Sequence, residues 1–203
     1  LVLAAQATTP EKIAFLVRHT TGVISVPLEG PRLDALLLPP MVAGDRDGFT
    51  VSVDARHGTT TGTSAADRCL TVHALVDPGT KPGDLARPGH VFPRRTDARG
   101  VLGRPGRDEA AVDLARLAGA HQPAGVVAEL VDDDGALLAG AALARFAERH
   151  RLPLVGPADL VRHRHRHEKL VRRVAAARVP TPQGDHTAVV YESLLDGSEH
   201  VAF

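Results

Sequence analysis

Apolar and polar positions along the chain alternate between helical and extended spacing. After Thr8-Thr9-Pro10-Glu11, a start resembling a capping box, Ile13, Phe15, Leu16 and Val17 predict a short amphipathic helix. Residues 22–28 (GVISVPL) form a continuous apolar run with β-branched members, the pattern of a buried strand. Residues 31–38 predict a helix stopped by Pro39-Pro40, and residues 49–54 (FTVSVD) alternate as a strand. A polar loop follows at 58–62 (GTTTG), and Ser64 is placed to cap a helix running through Asp67, Arg68, Leu70 and Val72. Pro and Gly crowd residues 77–106, which predicts a long loop with a short strand only at Val91-Phe92.

The second half reads more regularly. Asp108 opens a helix to Ala118, with Gly119 as its C-terminal cap. A strand at 126–131, a turn at 132–135, a helix at 143–150 and a strand at 152–155 follow, and Pro157 stands at the first turn of another helix. Strands alternating with helices define an α/β or α+β class. The charged run 162–167 (RHRHRH) breaks the compact pattern and reads as a helix end and linker. Residues 168–203 then read as strand, loop, strand, turn, strand, too few for an independent core.

Composition narrows the function classes. Lys+Arg and Asp+Glu both number 24 in 203 residues, so the formal net charge is +0, which argues against a strongly basic nucleic-acid binder and an acidic tail protein. Aromatic residues make up 3% with no Trp, so stacking platforms for single strands are not expected. One cysteine excludes an internal disulfide framework, and Cys69 beside Leu70 reads as a core residue. No apolar run reaches the roughly 20 residues of a membrane span. The chain begins at Leu1 with no signal-peptide pattern, and a cytoplasmic setting is the expectation.

Three places carry candidate chemistry. Arg104-Pro105-Gly106-Arg107-Asp108-Glu109 sets two arginines around a glycine at a helix start, where free N–H groups favour a phosphate; a solvated loop with Asp108 as an ordinary cap is the plainer alternative. His90, in Pro88-Gly89-His90, is a loop histidine suited to acid or base work, or to a simple backbone hydrogen bond. Glu129 stands in an apolar strand and either faces outward or is buried for proton transfer; alternation leaves its facing open. His163, His165 and His167 would share a side of a strand, but the intervening arginines oppose a cation, and no metal site is assigned there.

These pieces, in this order, resemble the 3,4-dihydroxy-2-butanone 4-phosphate synthase family of riboflavin biosynthesis. The resemblance rests on TPEKIAFLVRHTTGVISVPL, LLLPPMV, FTVSVDARHGTTTGTSAADRCLTV, RPGHVFP, GVLGRPGRDEAAVDLARLAGA and GVVAELVDDDG, and it spans residues 1–163. Residues 164–203 read as a linker and a stretch similar to the opening of GTP cyclohydrolase II, which is often fused behind the synthase. The resemblance implies a three-layer-like α/β domain followed by a short β-rich segment. It implies a lyase that converts ribulose 5-phosphate to dihydroxybutanone phosphate and formate with Mg²⁺, and a homodimer without nucleic-acid or membrane partners.

Residue by residue, it implies that His90 and Glu129 are catalytic and that Arg104 and Gly106 bind substrate. Arg107 stands where the family has a metal-binding histidine, and Asp108 where it has threonine; both are assigned to substrate binding here. Ser25 stands where the family has a cysteine. The family's acidic loop, with its metal-binding glutamate, would precede Leu1. Arginine has no lone pair for Mg²⁺ and repels it, so Mg²⁺ is expected in the family and doubtful in this chain. Two alternatives stay open. One is a diverged, metal-independent enzyme acting on another anionic substrate; the other is a non-catalytic dimerisation or support domain of a fused protein.

Overall fold

The computed structural model describes residues 1–44 and 48–203, and the chain divides into two compact units, Leu1–Pro157 and Ala158–Phe203. In the first unit, the apolar run after Gly22 forms β2 (Ile24–Leu28), in which every residue is buried. It sits at the centre of a five-stranded sheet in the order β1 (Val2–Ala4), β5 (Gly125–Val127), β2, β4 (Leu85–Arg95), β3 (Val53–Ala55). β2 and β4 run parallel and the other pairs are antiparallel. A parallel pair needs a long crossover, and the chain between β2 and β4 supplies it with α2 (Gly30–Ala35), β3 and α3 (Ala65–Val76).

The pleat divides the sheet chemically. Ile24, Val26 and Leu28 of β2, Val91 of β4 and Val126 of β5 point to one face, where α3 and α1 (Pro10–His19) add Ile13, Leu16, Cys69, Val72 and Leu75 to a single core. Thr9 caps α1 by accepting the Lys12 N–H, and Ser64 caps α3 by accepting the Asp67 N–H. Burial in this core pushes the Cys69 thiol above its usual range. α4 (Arg107–Leu117) packs on the opposite face against β1, β2 and β5. Helices on both faces of one sheet make three layers, as expected from the alternation of elements. α5 (Gly140–Arg149) and α1 bring Phe15, His19, Phe146 and His150 into one ring cluster.

Several expectations change. The loop assigned to 77–106 contains the longest strand of the sheet, β4, so His90 is a strand residue. Gly89 explains the difference: a Cβ there would lie 2.0 Å from the Val53 carbonyl carbon, so only glycine lets β3 and β4 approach. Gly89→Ala is expected to destabilise the first unit by about 2 kcal/mol or more, measured by urea denaturation. Residues 152–155 form no strand; Leu152, Leu154 and Val155 are exposed and have no neighbouring strand to pair with among the described residues. The run 162–167 is the end of a helix, as expected, and not a linker: it lies wholly within α6 (Pro157–His167), all but the first residue of which belongs to the second unit. There β6 (Val171–Thr181), β7 (Gly184–Ser193) and β8 (Glu199–Ala202) form a separate antiparallel sheet. Among the described residues no helix is long and apolar enough to cross a membrane.

Candidate active site

The face of the sheet that carries α4 also carries the chemistry. Ser25 pairs with Phe92 on one side and with Val127 on the other, so these three form a row across β4, β2 and β5. Two residues along, on the same face by the period of the pleat, are His90 on β4 and Glu129 just past β5. The Thr21 N–H donates to the Glu129 carbonyl at 3.0 Å, which fixes the Glu129 backbone beside the residues leading into β2. His90 and Glu129 are thus two strand spacings apart, roughly 10 Å.

At Glu129 lies a cavity of about 190 Å³ whose lining includes Ser25, Phe49, Arg94, Arg107 and Val127 as well. Arg107, the first residue of α4, reaches Glu129 with one guanidinium nitrogen, forming an ion pair at the cavity. Both partners are partly solvent-exposed, which leaves the pair open to a competing ligand. Arg94 forms another wall. Its guanidinium lies 4.1 Å from the centroid of the Phe49 ring, and its Nε is 3.2 Å from the Asp108 carboxylate. Asp108 is the second residue of α4, and burial raises its carboxyl above the ordinary range while Arg94 and Arg107 pull it back. It is not the helix cap; that position belongs to Gly106, whose side-chain-free backbone lets the Glu109 carboxylate pack against it.

Glu109 is 1% exposed and accepts from the Asp97 N–H at 3.1 Å and from Arg104 Nε at 2.8 Å. This bond to Glu109 is the main reason the Arg104 guanidinium holds its proton more tightly than usual. Arg104 therefore anchors the loop before α4, and neither it, Gly106 nor Asp108 lines the cavity. Asp113, also buried, accepts the Val101 N–H at 2.9 Å, so two α4 carboxylates organise residues 97–101. In this geometry Arg104 and Gly106 hold the loop before α4, and Asp108 supports Arg94.

His90 lies outside the cavity lining but on its face, turned toward β3. Asp54 accepts twice from it: Oδ1 from the His90 N–H at 2.9 Å, and Oδ2 opposite Nδ1 at 2.7 Å. A carboxylate accepts only, so Nδ1 carries the proton and Nε2 keeps its lone pair in the neutral ring. Gly62, at φ +80°, covers the pair; a Cβ there would stand 2.0 Å from Asp54 Oδ2 and 2.8 Å from His90 Nδ1. The GTTTG loop carrying Gly62 is tied down by Asp67, which accepts from the Gly62 and Thr60 N–H groups and from the Thr60 hydroxyl.

Sequence reasoning alone missed Asp54, Arg94 and Phe49. Asp54 ends an alternating run, and Arg94 lies an even number of residues from His90, so pleat counting along β4 finds Arg94 once the strand is recognised.

The donor set does not suit a Mg²⁺ ion. Arg107 offers only donors and a like charge, and Glu129 already accepts from it. Among the described residues no three His, Cys, Asp or Glu side chains are grouped to hold a metal.

Known proteins agree on the family. The family model for 3,4-dihydroxy-2-butanone 4-phosphate synthase matches residues 1–163. The riboflavin biosynthesis protein RibBA of Nocardia farcinica is 52% identical over 208 residues, covering 100% of this chain and 50% of that protein. The bifunctional riboflavin biosynthesis protein RIBA 1, chloroplastic, of Arabidopsis thaliana is 49% identical, covering 100% of this chain and 38% of its own length. Among solved structures, RibBX of A. baumannii, a two-domain synthase of this kind, superposes with a TM-score of 0.85 at 37% identity, over 99% of this chain and 60% of that one. A 3,4-dihydroxy-2-butanone 4-phosphate synthase in complex with two magnesium ions gives 0.78 at 42% identity, over 83% and 85%.

The chain belongs to the 3,4-dihydroxy-2-butanone 4-phosphate synthase family. It spans about half the length of the bacterial RibBA relatives it matches.

Proposed function

We propose that the first unit binds a phosphorylated ketose, ribulose 5-phosphate being the expected one. In this reading it forms the enediol by proton transfer through His90, and Arg107 supplies the positive charge at the site without a metal ion. The observation that carries the reading is the Arg107–Glu129 ion pair at a cavity on the same sheet face as the His90–Asp54 pair. A phosphate or enediolate oxygen competes with Glu129 for the guanidinium, and Arg94 adds a second positive wall. The displaced Glu129 carboxylate then becomes a free acceptor for a substrate hydroxyl. His90 Nε2 takes the proton next to the carbonyl while Asp54 holds the ring and stabilises the imidazolium.

Completing the family reaction demands stabilisation of adjacent oxygens during the skeletal shift, and one guanidinium meets that need poorly. The chain is therefore expected to exchange the substrate's carbon-bound proton with D₂O and to release little formate, with or without Mg²⁺. Proton NMR follows the exchange and an enzymatic formate assay follows the full reaction. Robust Mg²⁺-dependent formate release by the unmodified chain would contradict the reading. Asp54→Asn should keep the fold and slow the exchange by about 100-fold or more, because an amide no longer fixes the Nδ1–H tautomer.

The same reading carries a homodimer in the cytoplasm, and light scattering that gives a stable monomer would count against it. The second unit is read as the opening of a GTP cyclohydrolase II-like domain. Its place behind the synthase-like region, in a chain whose RibBA relatives are about twice as long, supports this.

A further inference from the structure

The three histidines that end α6 are placed differently by a helix than by a strand. On a strand His163, His165 and His167 would line one side; on α6 His163 and His167 are one turn apart on one face, and His165 points elsewhere. All three are exposed. The His163 and His167 rings stack with centroids 4.2 Å apart and planes 23° from parallel. His167 Nδ1 lies 2.8 Å from the His163 carbonyl oxygen. A carbonyl only accepts, so this nitrogen carries the proton and His167 Nε2 keeps its lone pair, the arrangement in which a metal-ligating imidazole is oriented by its other nitrogen.

The arginines that would repel a cation are largely offset. Arg162 pairs with Asp159 one turn back, and Arg164 is gripped by both carboxylate oxygens of Glu168, at 2.6 Å from Nε and 2.8 Å from Nη2. Arg166 remains to oppose a cation, with no such carboxylate partner among the described residues. Two exposed imidazoles on successive helix turns can reach one ion once their side chains rotate out of the stack.

We propose that α6 carries a two-histidine site for a borderline divalent transition-metal ion, held by one ring nitrogen each from His163 and His167 and completed by water. Imidazole suits Zn²⁺, Ni²⁺ and Cu²⁺, whereas Mg²⁺ prefers oxygen, so the site is separate in chemistry from anything near Arg107. Cu²⁺ binds more tightly than Zn²⁺ by the general affinity order of these ions. A chelate across one turn also ties that turn, so the bound ion protects α6 against amide exchange.

The test is calorimetric titration of the untagged chain with Zn²⁺ alone and with Cu²⁺ alone. Parallel titrations use His163→Ala, His167→Ala, His165→Ala and Arg166→Glu, with circular dichroism to show that each variant folds. The expected result is one ion per chain and a loss of about tenfold or more with either His163→Ala or His167→Ala. His165→Ala should match the parent chain, and Arg166→Glu should bind more tightly. Equal loss with His165→Ala, or affinity retained in the His163→Ala/His167→Ala double variant, would overturn the proposal. Hydrogen exchange supplies a second readout: Zn²⁺ should slow exchange in α6, and no change in α6 despite binding would place the ion elsewhere.

Discussion

Arg94→Ala should lower the stability of the first unit by about 3–5 kcal/mol in urea denaturation at neutral pH. Its guanidinium is 9% exposed, and the Asp108 carboxylate beside it is 7% exposed. Removing the cation leaves a buried carboxylate with only Arg107 and Arg104 to offset it, which costs more than an exposed ion pair contributes. The stacking of Arg94 on Phe49 is lost as well. The pH dependence has a definite sign. Burial raises the Asp108 carboxyl and Arg94 lowers it, so the variant's carboxyl rises further. A group whose folded pKa is raised contributes stability below its unfolded pKa and loses it as pH climbs through the folded value. The deficit of Arg94→Ala relative to the parent chain should therefore shrink on acidification into the carboxylate range and widen toward neutrality. Arg94→Ala/Asp108→Ala should recover part of the loss, since it removes the stranded charge.

His90→Ala carries the largest expected effect on chemistry. Deuterium exchange into ribulose 5-phosphate should fall by about 10²- to 10⁴-fold, the span general-base catalysis supplies. Binding should change little, because His90 does not line the cavity where Arg94 and Arg107 meet the anion. A variant that loses affinity in step with exchange would make His90 a binding residue instead. Exchange at the parent rate would assign the base elsewhere, with Glu129 the next group to replace.

The parts of this molecule legible in the sequence are those written in local chemistry. Thr9 and Ser64 cap their helices because a short side-chain oxygen before an apolar stripe can do little else, and residues 24–28 are buried because nothing polar interrupts them except Ser25. The segment around His90 was not legible for the opposite reason. Pro88 and Gly89 signal a loop, yet the strand exists because β3 needs a residue without a side chain opposite Val53 and Asp54, and that requirement lies in a partner more than 30 residues away. That α6 runs through the whole of 162–167, with no linker there, was less legible: alternating Arg and His has no helical stripe, and Arg162 and Arg164 are accommodated by Asp159 and Glu168 at helical spacing. At the candidate site, the family resemblance marked His90, Arg107 and Glu129. Which of them touch is a matter of register, and register makes Arg107 meet Glu129 and Asp54 meet His90.

Titrating ribulose 5-phosphate into the chain in EDTA, and again in excess Mg²⁺, decides whether Arg107 takes the electrostatic place of a metal ion. Measurable binding is expected in EDTA, with the same affinity in Mg²⁺. Arg107→Ala should lose about tenfold or more in affinity, the scale of one charge-assisted contact to an anion. Binding that requires Mg²⁺, or tightens about tenfold or more when Mg²⁺ is added, would contradict that role for Arg107.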